Sequence, residues 1–473
     1  MPHNAVRVFT PRNEYADGLL EASYDRPMTE AGGGDDLVRR AQAVLERNRR
    51  GDHTCPSAKL YPHQWLWDSC FTAIGITRYD PARAAGELRA LFRGQWANGM
   101  LPHMIFAPAS HDIGSRTVWR SHRFPDAPRD VATTCITQPP IAAIAVERVA
   151  AALSTADRDA FVAELLPKLI SYHEWLFRER TLDGSALITL IHPWECGLDS
   201  TPPWMRALRD WRMPAWLRAA ERLHLSRLLR SLRYDTRHLP ATERASDDDG
   251  LRMIALAVHA KRFDFVMRQL PRDNSVLIED VGFNAMFAAA NQALSRLGDT
   301  TLTGAIARHH DAIDDLWHED TAQYCSRNAV THALIAEPTV AGFLPAFAGF
   351  LPSALVQRLH SHANWPAYPV PSVPIDARDF QETRYWKGPT WVNTNWMIID
   401  GLERNAHADL ANADLANELR RRTLALVDEH GFSEYFSPLT GDGHGADEFS
   451  WTAALTIDLA LTSEGKGATV PAR

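Results

Sequence analysis

Residues Trp386 to Trp396 read W-K-G-P-T-W-V-N-T-N-W and stand directly before the apolar run Met397-Ile398-Ile399. A Gly-Pro pair ahead of an apolar run predicts a loop entering a buried helix, with Pro389 at or near the first helical position, where no N–H is needed. The loop's indole and amide groups suit a sugar, which offers C–H faces for stacking and hydroxyls for hydrogen bonds. A tryptophan-rich core turn explains the same stretch, and both interpretations stay open here.

The same order of elements recurs along the chain. Y-P-H-Q-W-L-W-D, from Tyr61 to Asp68, precedes the apolar run C-F-T-A-I-G-I. Roughly twelve helices follow the order outer helix, loop, inner helix, and strand signals are sparse. Paired helices that close into a ring bring every motif-bearing loop to one end, so an all-α (α/α)6 toroid is predicted, with its pocket at the N-terminal ends of the inner helices. An open solenoid would show a repeat of fixed period, which is absent.

The domain boundaries follow from this pattern. A polar leader spans residues 1–34, the catalytic domain spans 35–465 with an Arg-rich helical insertion at 203–245, and a short tail spans 466–473. Asp35-Asp36 are expected to cap the first helix. Pro81 is expected to begin a helix that ends at Asn98-Gly99. Further helices are expected at about 141–153, 157–180, 250–269, 279–297, 302–317, 339–347, 352–363, 409–430 and 446–462.

Composition excludes several classes of function. The chain has 473 residues, 45% of them hydrophobic, and a formal net charge of −8. This charge disfavours nucleic acids and anionic membrane surfaces as partners. No stretch of 18 apolar residues occurs, so no membrane span is predicted. The expected partner is a small carbohydrate, and a homo-oligomer is left open.

The cysteines and histidines predict neither a disulfide framework nor a metal. Five cysteines without C-x-x-C spacing read as free thiols in a reducing compartment, so a cytoplasmic location is expected. His309-His310 and the His360-x-His362 pair are expected on solvated helix surfaces rather than as ligands. No cofactor is expected.

Acidic residues in the aromatic loops are the candidates for catalysis. They are Asp68, Glu195, Asp199, Asp280, Glu434, Asp447 and Glu448. Asp199 stands out because the loop after Trp194 would desolvate it and raise its pKa, as a general acid requires. Glu434 stands out because a carboxylate among aromatic residues costs free energy unless it is used or paired. Asp68 fits a helix N-cap and a sugar ligand equally well, and Glu195 is a candidate to orient the acid loop.

These motifs, taken together, resemble glycoside hydrolase family 63. The motifs are Y-P-H-Q-W-L-W-D, N-G-M-L-P-H, T-Q-P-P, W-E-C-G-L-D, E-D-V-G-F-N, Y-W-K-G-P-T-W-V-N-T-N-W and S-E-Y-F-S-P-L-T-G. The resemblance covers about residues 35–465. It is greatest to the short bacterial branch of glucosylglycerate and mannosylglycerate hydrolases, and it extends to trehalases of family 37.

The resemblance implies an inverting hydrolase with Asp199 as the general acid and Glu434 as the general base. In such an enzyme the two carboxyl groups are expected roughly 6.5–9.5 Å apart, which leaves room for a water. The implied sugar-contacting residues are Tyr61, Trp65, Trp67, Asp68, Gln138, Trp194, Lys387, Gly388 and Trp391. His103, Gly197, Tyr385 and Tyr435 lie in the same motifs and complete the predicted substrate site.

Two departures from the family pattern concern the leaving group. Cys196 replaces a serine, and Ser200-Thr201-Pro202-Pro203-Trp204 replaces N-S-P-R-W, which removes an arginine beside the acid. The insertion that follows the acid should line the leaving-group side. Arg206 and Arg209, and after them Lys387, are therefore the candidates to hold a leaving-group carboxylate. Solvated arginines on an exposed helix are the alternative.

Other functions remain open from the sequence. An α-glucosidase or trehalase-like enzyme acting on a disaccharide would use the same carboxylate pair. An epimerase or polysaccharide lyase on the same toroid would use histidine or a tyrosine and arginine instead. A sugar-binding protein without catalysis is disfavoured because Asp199 and Glu434 are both present.

Overall fold

Six helical segments form a closed inner ring in the computed structural model, which describes residues 33–108, 118–214, 218, 239–274, 276–406 and 410–464. Each segment packs against the next, and the last packs against the first. In chain order they are Leu66–Ile76, Ala142–Ala152, Val281–Arg296, Val340–Ala348, Val392–Arg404 and Ser450–Glu464.

Six further helices form the outer layer. They are Gly33–Arg47, Pro81–Phe92, Thr155–Glu179, Thr303–Asp311, Ser353–Leu359 and Leu410–His430. Five of them pack directly on an inner segment, and Ser353–Leu359 rests on the strand Gln323–Tyr324. Two concentric layers of six segments confirm the predicted (α/α)6 toroid.

The inner segments are buried because most of their residues are apolar. Every residue of Leu66–Ile76 is buried, as are the nine residues of Val340–Ala348. A helix with apolar residues on all sides must lie in a core. Outer helices instead bury one stripe, which in Gly33–Arg47 consists of Leu37, Ala41, Val44 and Leu45.

Short strands pair the loops between the helices. The strands of the described part form five antiparallel pairs, each strand two residues long: Arg49–Arg50 with His53–Thr54, Gln64–Trp65 with Met104–Ile105, Ile278–Glu279 with Arg327–Asn328, Trp317–His318 with Gln323–Tyr324, and Tyr435–Phe436 with Gly443–His444. The remaining α-helices are Pro193–Cys196, Pro202–Asp210 and Asp247–Lys261. Short 3-10 helices span Ser121–Arg123, Ala241–Glu243, Met267–Gln269, Arg272–Asn274, Ala312–Leu316 and Glu319–Thr321.

The helix after the opening stretch begins later than predicted. It starts at Val392, with Trp391 as its N-cap, so Pro389 lies before the helix. The reason is a backbone pairing: Thr390 donates to the Phe436 carbonyl at 2.8 Å and accepts from the Phe436 N–H at 3.0 Å. This bridge holds the loop extended against the loop that carries Glu434.

Three other sequence-based expectations are corrected. The first helix begins at Gly33, which places Asp35 and Asp36 in its first turn rather than at its cap. The helix from Pro81 ends at Phe92, not at Asn98-Gly99. His309 is fully buried, with its Nε2 3.0 Å from the Asn284 Oδ1, so it is not a solvated surface residue.

The outlying segments of the predicted domain scheme are described only in part. Residues 1–32 of the expected leader, and the whole expected tail at 466–473, lie outside the described residues. The expected insertion is described at 203–214, at 218 and at 239–245. Among the described helices, none combines the length and apolar character that a bilayer crossing requires.

Candidate active site

Glu434 lies at the mouth of the ring with both carboxylate oxygens bound. Its loop is fixed because the Glu434 N–H donates to the Ala446 carbonyl at 2.9 Å, while the Ala446 N–H donates to Oε2 at 2.9 Å. The Tyr61 hydroxyl donates to Oε1 at 3.1 Å. Burial of an ionised carboxylate requires such partners, and Glu434 is 1% exposed.

Arg244 is the cation that faces Glu434, and the sequence analysis missed it. Its guanidinium donates to Oε1 at 3.3 Å and to Oε2 at 2.9 Å, and it also donates to the Tyr61 hydroxyl. The guanidinium carbon lies 4.9 Å from the ring centre of Tyr385. A bidentate Arg–carboxylate pair enclosed by aromatic rings is a strong, geometrically specific contact.

Asp199 lies half-buried in the turn that follows the short helix Pro193–Cys196. Burial raises its pKa to about 8, and the negative charge of Glu434 adds to this, while the positive charge of Arg244 opposes it. Asp199 is therefore protonated at neutral pH. A general acid has to carry a proton, as Asp199 does, and a general base has to be ionised, as the ion-paired Glu434 is.

The acid loop is held by a buried ion pair below it. Glu195 accepts from both terminal nitrogens of Arg180, at 2.6 and 3.0 Å, and both side chains are almost fully buried. Glu195 also accepts from the Ile191 N–H at 2.8 Å and from the Thr137 N–H at 3.4 Å. The predicted orienting residue thus ties the acid loop to the T-Q-P-P segment.

Gly197 allows that loop to approach the aromatic wall. Its φ is +77°, and a Cβ at this position would lie 2.6 Å from the Trp67 ring. Only glycine tolerates both conditions. Cys196, which stands where the family has serine, donates to the Pro193 carbonyl at 3.0 Å and accepts from the Leu198 N–H at 3.3 Å.

Asp68 is the third carboxyl group of the site. It lies in the first turn of Leu66–Ile76, whose N-cap is Trp65, so the N-cap alternative is wrong. Burial raises its pKa well above the usual range, and the negative charges of Glu434 and Asp199 raise it further. The charges of Glu434 and Asp199 thus act on Asp68, although the three carboxyl groups come from distant parts of the chain.

Aromatic side chains form a wall beside the carboxyl groups. Trp386 and Trp391 stack with ring centres 3.7 Å apart and planes 5° apart. Trp67, Tyr385, Tyr435 and Trp451 pack around this pair. Trp386 and Trp391 are fully buried against each other. For these two rings, the stretch is therefore the tryptophan-rich core turn that the sequence left open.

Several buried donors in this region have no acceptor among the described residues. They are the Nε1 atoms of Trp65, Trp386 and Trp451 and the Nε of Arg244. A buried donor without a partner is costly, and native proteins keep few of them. A bound polyhydroxyl ligand or ordered water would supply the missing acceptors.

Other predicted residues support the site from its edges. The Gln138 Oε1 accepts from the Trp67 N–H at 3.2 Å. His103 packs edge-on against Trp65, and burial, together with the nearby charge of His192, lowers its pKa to about 3. Trp194 is half-buried, with its ring centre 4.3 Å from that of His192.

Lys387 and Gly388 are positioned by contacts within the protein. The Lys387 Nζ lies 2.9 Å from the Asp249 Oδ2, and both side chains are largely buried. The Gly388 N–H donates to the Ser372 Oγ at 2.9 Å, and a Cβ here would lie 2.3 Å from the Gln381 carbonyl oxygen.

Arg206 and Arg209 lie apart from the carboxyl groups. Both side chains are exposed on the helix Pro202–Asp210. Arg206 pairs instead with Glu337 at 3.0 Å. Among the described contacts, neither arginine reaches the cluster formed by Asp68, Asp199 and Glu434.

The other acidic candidates have separate surroundings. Asp280 caps the helix Val281–Arg296 and accepts from the Trp204 Nε1 at 2.9 Å. Glu448 pairs with Arg47 at 2.9 Å, and Asp447 is exposed.

The sequence is similar to known glycosidases along most of its length. Residues 61–452 match the family described as mannosylglycerate hydrolase MGH1-like glycoside hydrolase domain. The mannosylglycerate hydrolase of Thermus thermophilus is 36% identical over 431 residues, which cover 88% of this chain and 99% of the relative. The glucosylglycerate hydrolase of Mycolicibacterium hassiacum is 31% identical over 456 residues, which cover 89% and 97%.

Solved structures of glycosidases are also similar to this chain. A family 63 mannosylglycerate hydrolase from Thermus thermophilus, crystallised in complex with Tris and D-glycerate, superposes with a TM-score of 0.78 at 35% identity, covering 90% of this chain and 100% of the other. The neutral trehalase of Saccharomyces cerevisiae gives a TM-score of 0.51 at 12% identity, covering 87% and 73%, which shows a shared fold alone.

Proposed function

The chain belongs to the mannosylglycerate hydrolase MGH1-like glycoside hydrolase family, and from this we propose that it hydrolyses mannosylglycerate or glucosylglycerate with inversion at the anomeric carbon. Relatives named for each substrate match at 36% and 31% identity. Both substrates join a hexose to a glycerate, so the same carboxylate-bearing leaving group serves either sugar.

The carboxyl pair is the observation that supports this function most. Asp199, with its pKa raised to about 8, gives its proton to the oxygen between sugar and glycerate. Glu434 takes a proton from the water that attacks the opposite face of the sugar ring. The bond between the anomeric carbon and the glycosidic oxygen breaks, and the products are the inverted sugar and glycerate.

The remaining predicted residues are proposed to form the sugar site. Asp68 faces the sugar hydroxyls as a carboxyl group that can donate as well as accept. Tyr61, Trp65 and Tyr385, which are partly exposed, supply the apolar wall of the sugar site, and the buried Trp67, Trp391 and Tyr435 pack behind it. Gln138, Trp194, Gly197, His103, Lys387 and Gly388 fix its geometry. We also propose a cytoplasmic location, because all five cysteines are free.

Turnover of a matched substrate panel tests the proposal. The panel contains mannosylglycerate, glucosylglycerate, the uncharged glucosylglycerol, trehalose and kojibiose. We expect hydrolysis of at least one glycosylglycerate, with proton NMR showing release of the anomer opposite to that of the substrate. Preferential hydrolysis of trehalose or kojibiose would contradict the proposed substrate class, and retention of configuration would contradict the mechanism.

Arg206→Ala and Arg209→Ala test the sequence-based assignment of the leaving-group cation. Each variant is compared with the wild type for the ratio of kcat/KM on glucosylglycerate to that on glucosylglycerol. A desolvated charge-assisted contact would be worth about 1.5–3 kcal/mol on the charged substrate alone. Because both side chains are exposed, we expect the ratio to stay within about threefold of the wild type, as is typical of exposed charges. A ten- to hundredfold fall in this ratio would restore the assignment.

A further inference from the structure

Four donors contact the carboxylate of Glu434. Oε1 accepts from the Tyr61 hydroxyl and from the Arg244 Nη1, while Oε2 accepts from the Arg244 Nη2 and from the Ala446 N–H. A carboxylate offers about four lone-pair sites. These contacts fix its orientation. The longest of them, at 3.3 Å, joins the Arg244 Nη1 to Oε1, and it has to give way when Glu434 takes a proton from water.

The charge of Arg244 reaches both catalytic carboxyl groups. It forms a bidentate pair with Glu434. It also opposes the rise that burial produces in the pKa of Asp199. One fixed cation in a water-poor site thus acts on the acid and the base together, because charges interact strongly where the dielectric constant is low.

Contacts of the neighbouring Glu243 hold the segment that carries Arg244. The neighbouring Glu243 accepts from the Gly445 N–H at 3.0 Å, and its Oε1 lies 3.4 Å from the His444 Nδ1. The Tyr435 hydroxyl donates to the Glu243 carbonyl. The segment that carries Arg244 is therefore attached to the same loop that carries Glu434, so the two side chains keep a constant relative position.

We propose that Arg244 is a positioning residue that holds the carboxylate of the general base Glu434 in one orientation and supplies the positive charge that faces it. This inference rests on the proposed function for its kinetic consequences. The groups with which Arg244 and Glu434 interact, and which bear on a pH profile, are Tyr61, Asp68, Asp199, Glu243, Tyr385 and Tyr435. His444 contacts Glu243.

The pH dependence of kcat/KM in Arg244→Met tests the proposal. Methionine keeps the apolar length and removes the charge. A positive charge within hydrogen-bonding distance lowers the pKa of a carboxyl group by about 1 to 3, so its removal should raise the pKa by a similar amount. We therefore expect the acidic limb of the profile to move upward by that amount and the alkaline limb to move upward as well. Arg89→Met, which removes an arginine exposed on the outer helix Pro81–Phe92, is the matched control and should leave both limbs unchanged.

Arg244→Lys separates charge from geometry. Lysine keeps the charge but cannot bind both oxygens in a fork, so we expect the limbs to stay near their wild-type positions while kcat falls about a hundredfold through misplacement of the base. This variant decides the matter if Arg244→Met fails to fold. Unchanged kcat in Arg244→Lys, or limbs that stay fixed in a folded Arg244→Met, would overturn the proposal.

A measurement without substrate distinguishes failure of this inference from failure of the proposed function. Carbon-13 NMR of the glutamate carboxyl carbons, with the Glu434 signal assigned by its loss in Glu434→Gln, gives the titration midpoint directly. We expect a higher midpoint in Arg244→Met than in the wild type. If the midpoint rises while the wild type hydrolyses no glycosylglycerate, the proposed function fails and the role of Arg244 stands. An unmoved midpoint overturns that role.

Discussion

Asp199→Asn and Glu434→Gln are each expected to lower kcat by about 10²–10⁴-fold, the contribution of one positioned proton-transfer group. Both replacements preserve size and remove only the ability to give or take a proton. The two side chains come from loops 235 positions apart in the sequence (434 − 199), yet the negative charge of Glu434 acts on Asp199. Steady-state kinetics on the preferred substrate measures the loss, and thermal unfolding checks that the fold is kept.

The dependence of activity on pH also has an expected direction. Because the pKa of Asp199 is raised to about 8, the acid keeps its proton at neutral pH, and activity should fall as the pH rises through about 8. Asp199→Asn should lose this alkaline limb together with its activity. Asp447→Asn, an exposed acid in the loop of Glu434, is the control and should behave as wild type. Retention of more than about a tenth of the activity in either catalytic variant would remove that residue from its role, since general acid–base groups contribute far more.

The ring could be predicted because the sequence marks inner segments with two signals, an aromatic loop and the apolar run that follows it. An aromatic loop precedes an apolar run at Tyr61–Asp68 and again at Trp386–Trp396, and apolar runs of that length have to be buried. The exact helix start at Val392 could not be predicted, because the bridge between Thr390 and Phe436 that delays it is a tertiary contact. The same limit applies to His309, whose partner Asn284 comes from another helix.

The sequence singled out Asp199 and Glu434 as candidate acids, but it did not indicate their partners. Glu434 and Asp199 stand in aromatic loops, where a carboxyl group requires an explanation. Arg244 stands in the polar run R-A-S-D-D-D, which resembles a solvated surface. Ser246 and Asp249 form a helix-start pattern, which predicts that Arg244 lies in a loop. Because Asp247–Lys261 is not an inner helix, this pattern does not place Arg244 at the pocket.

Arg180→Met is expected to lower the free energy of unfolding by about 3–5 kcal/mol, because it leaves the buried carboxylate of Glu195 without its counter-charge. Arg180 binds Glu195 through two contacts, and both side chains are almost fully buried. The carboxylate would keep only the N–H groups of Ile191 and Thr137. Urea unfolding followed by tryptophan fluorescence measures the change.

Two further variants show whether the effect comes from the buried pair. Arg178→Met removes a neighbouring arginine of the same helix whose side chain is half-exposed, and it should cost less than about 1 kcal/mol, as is usual for surface pairs. The double variant combines Arg180→Met with Glu195→Met, so no unpaired charge remains. It should recover part of the stability that is lost in Arg180→Met alone. If Arg180→Met instead costs no more than Arg178→Met, the pair does not support the acid loop. A double variant less stable than Arg180→Met alone would show that the N–H contacts of Glu195, rather than its charge pairing, hold the loop beneath Asp199.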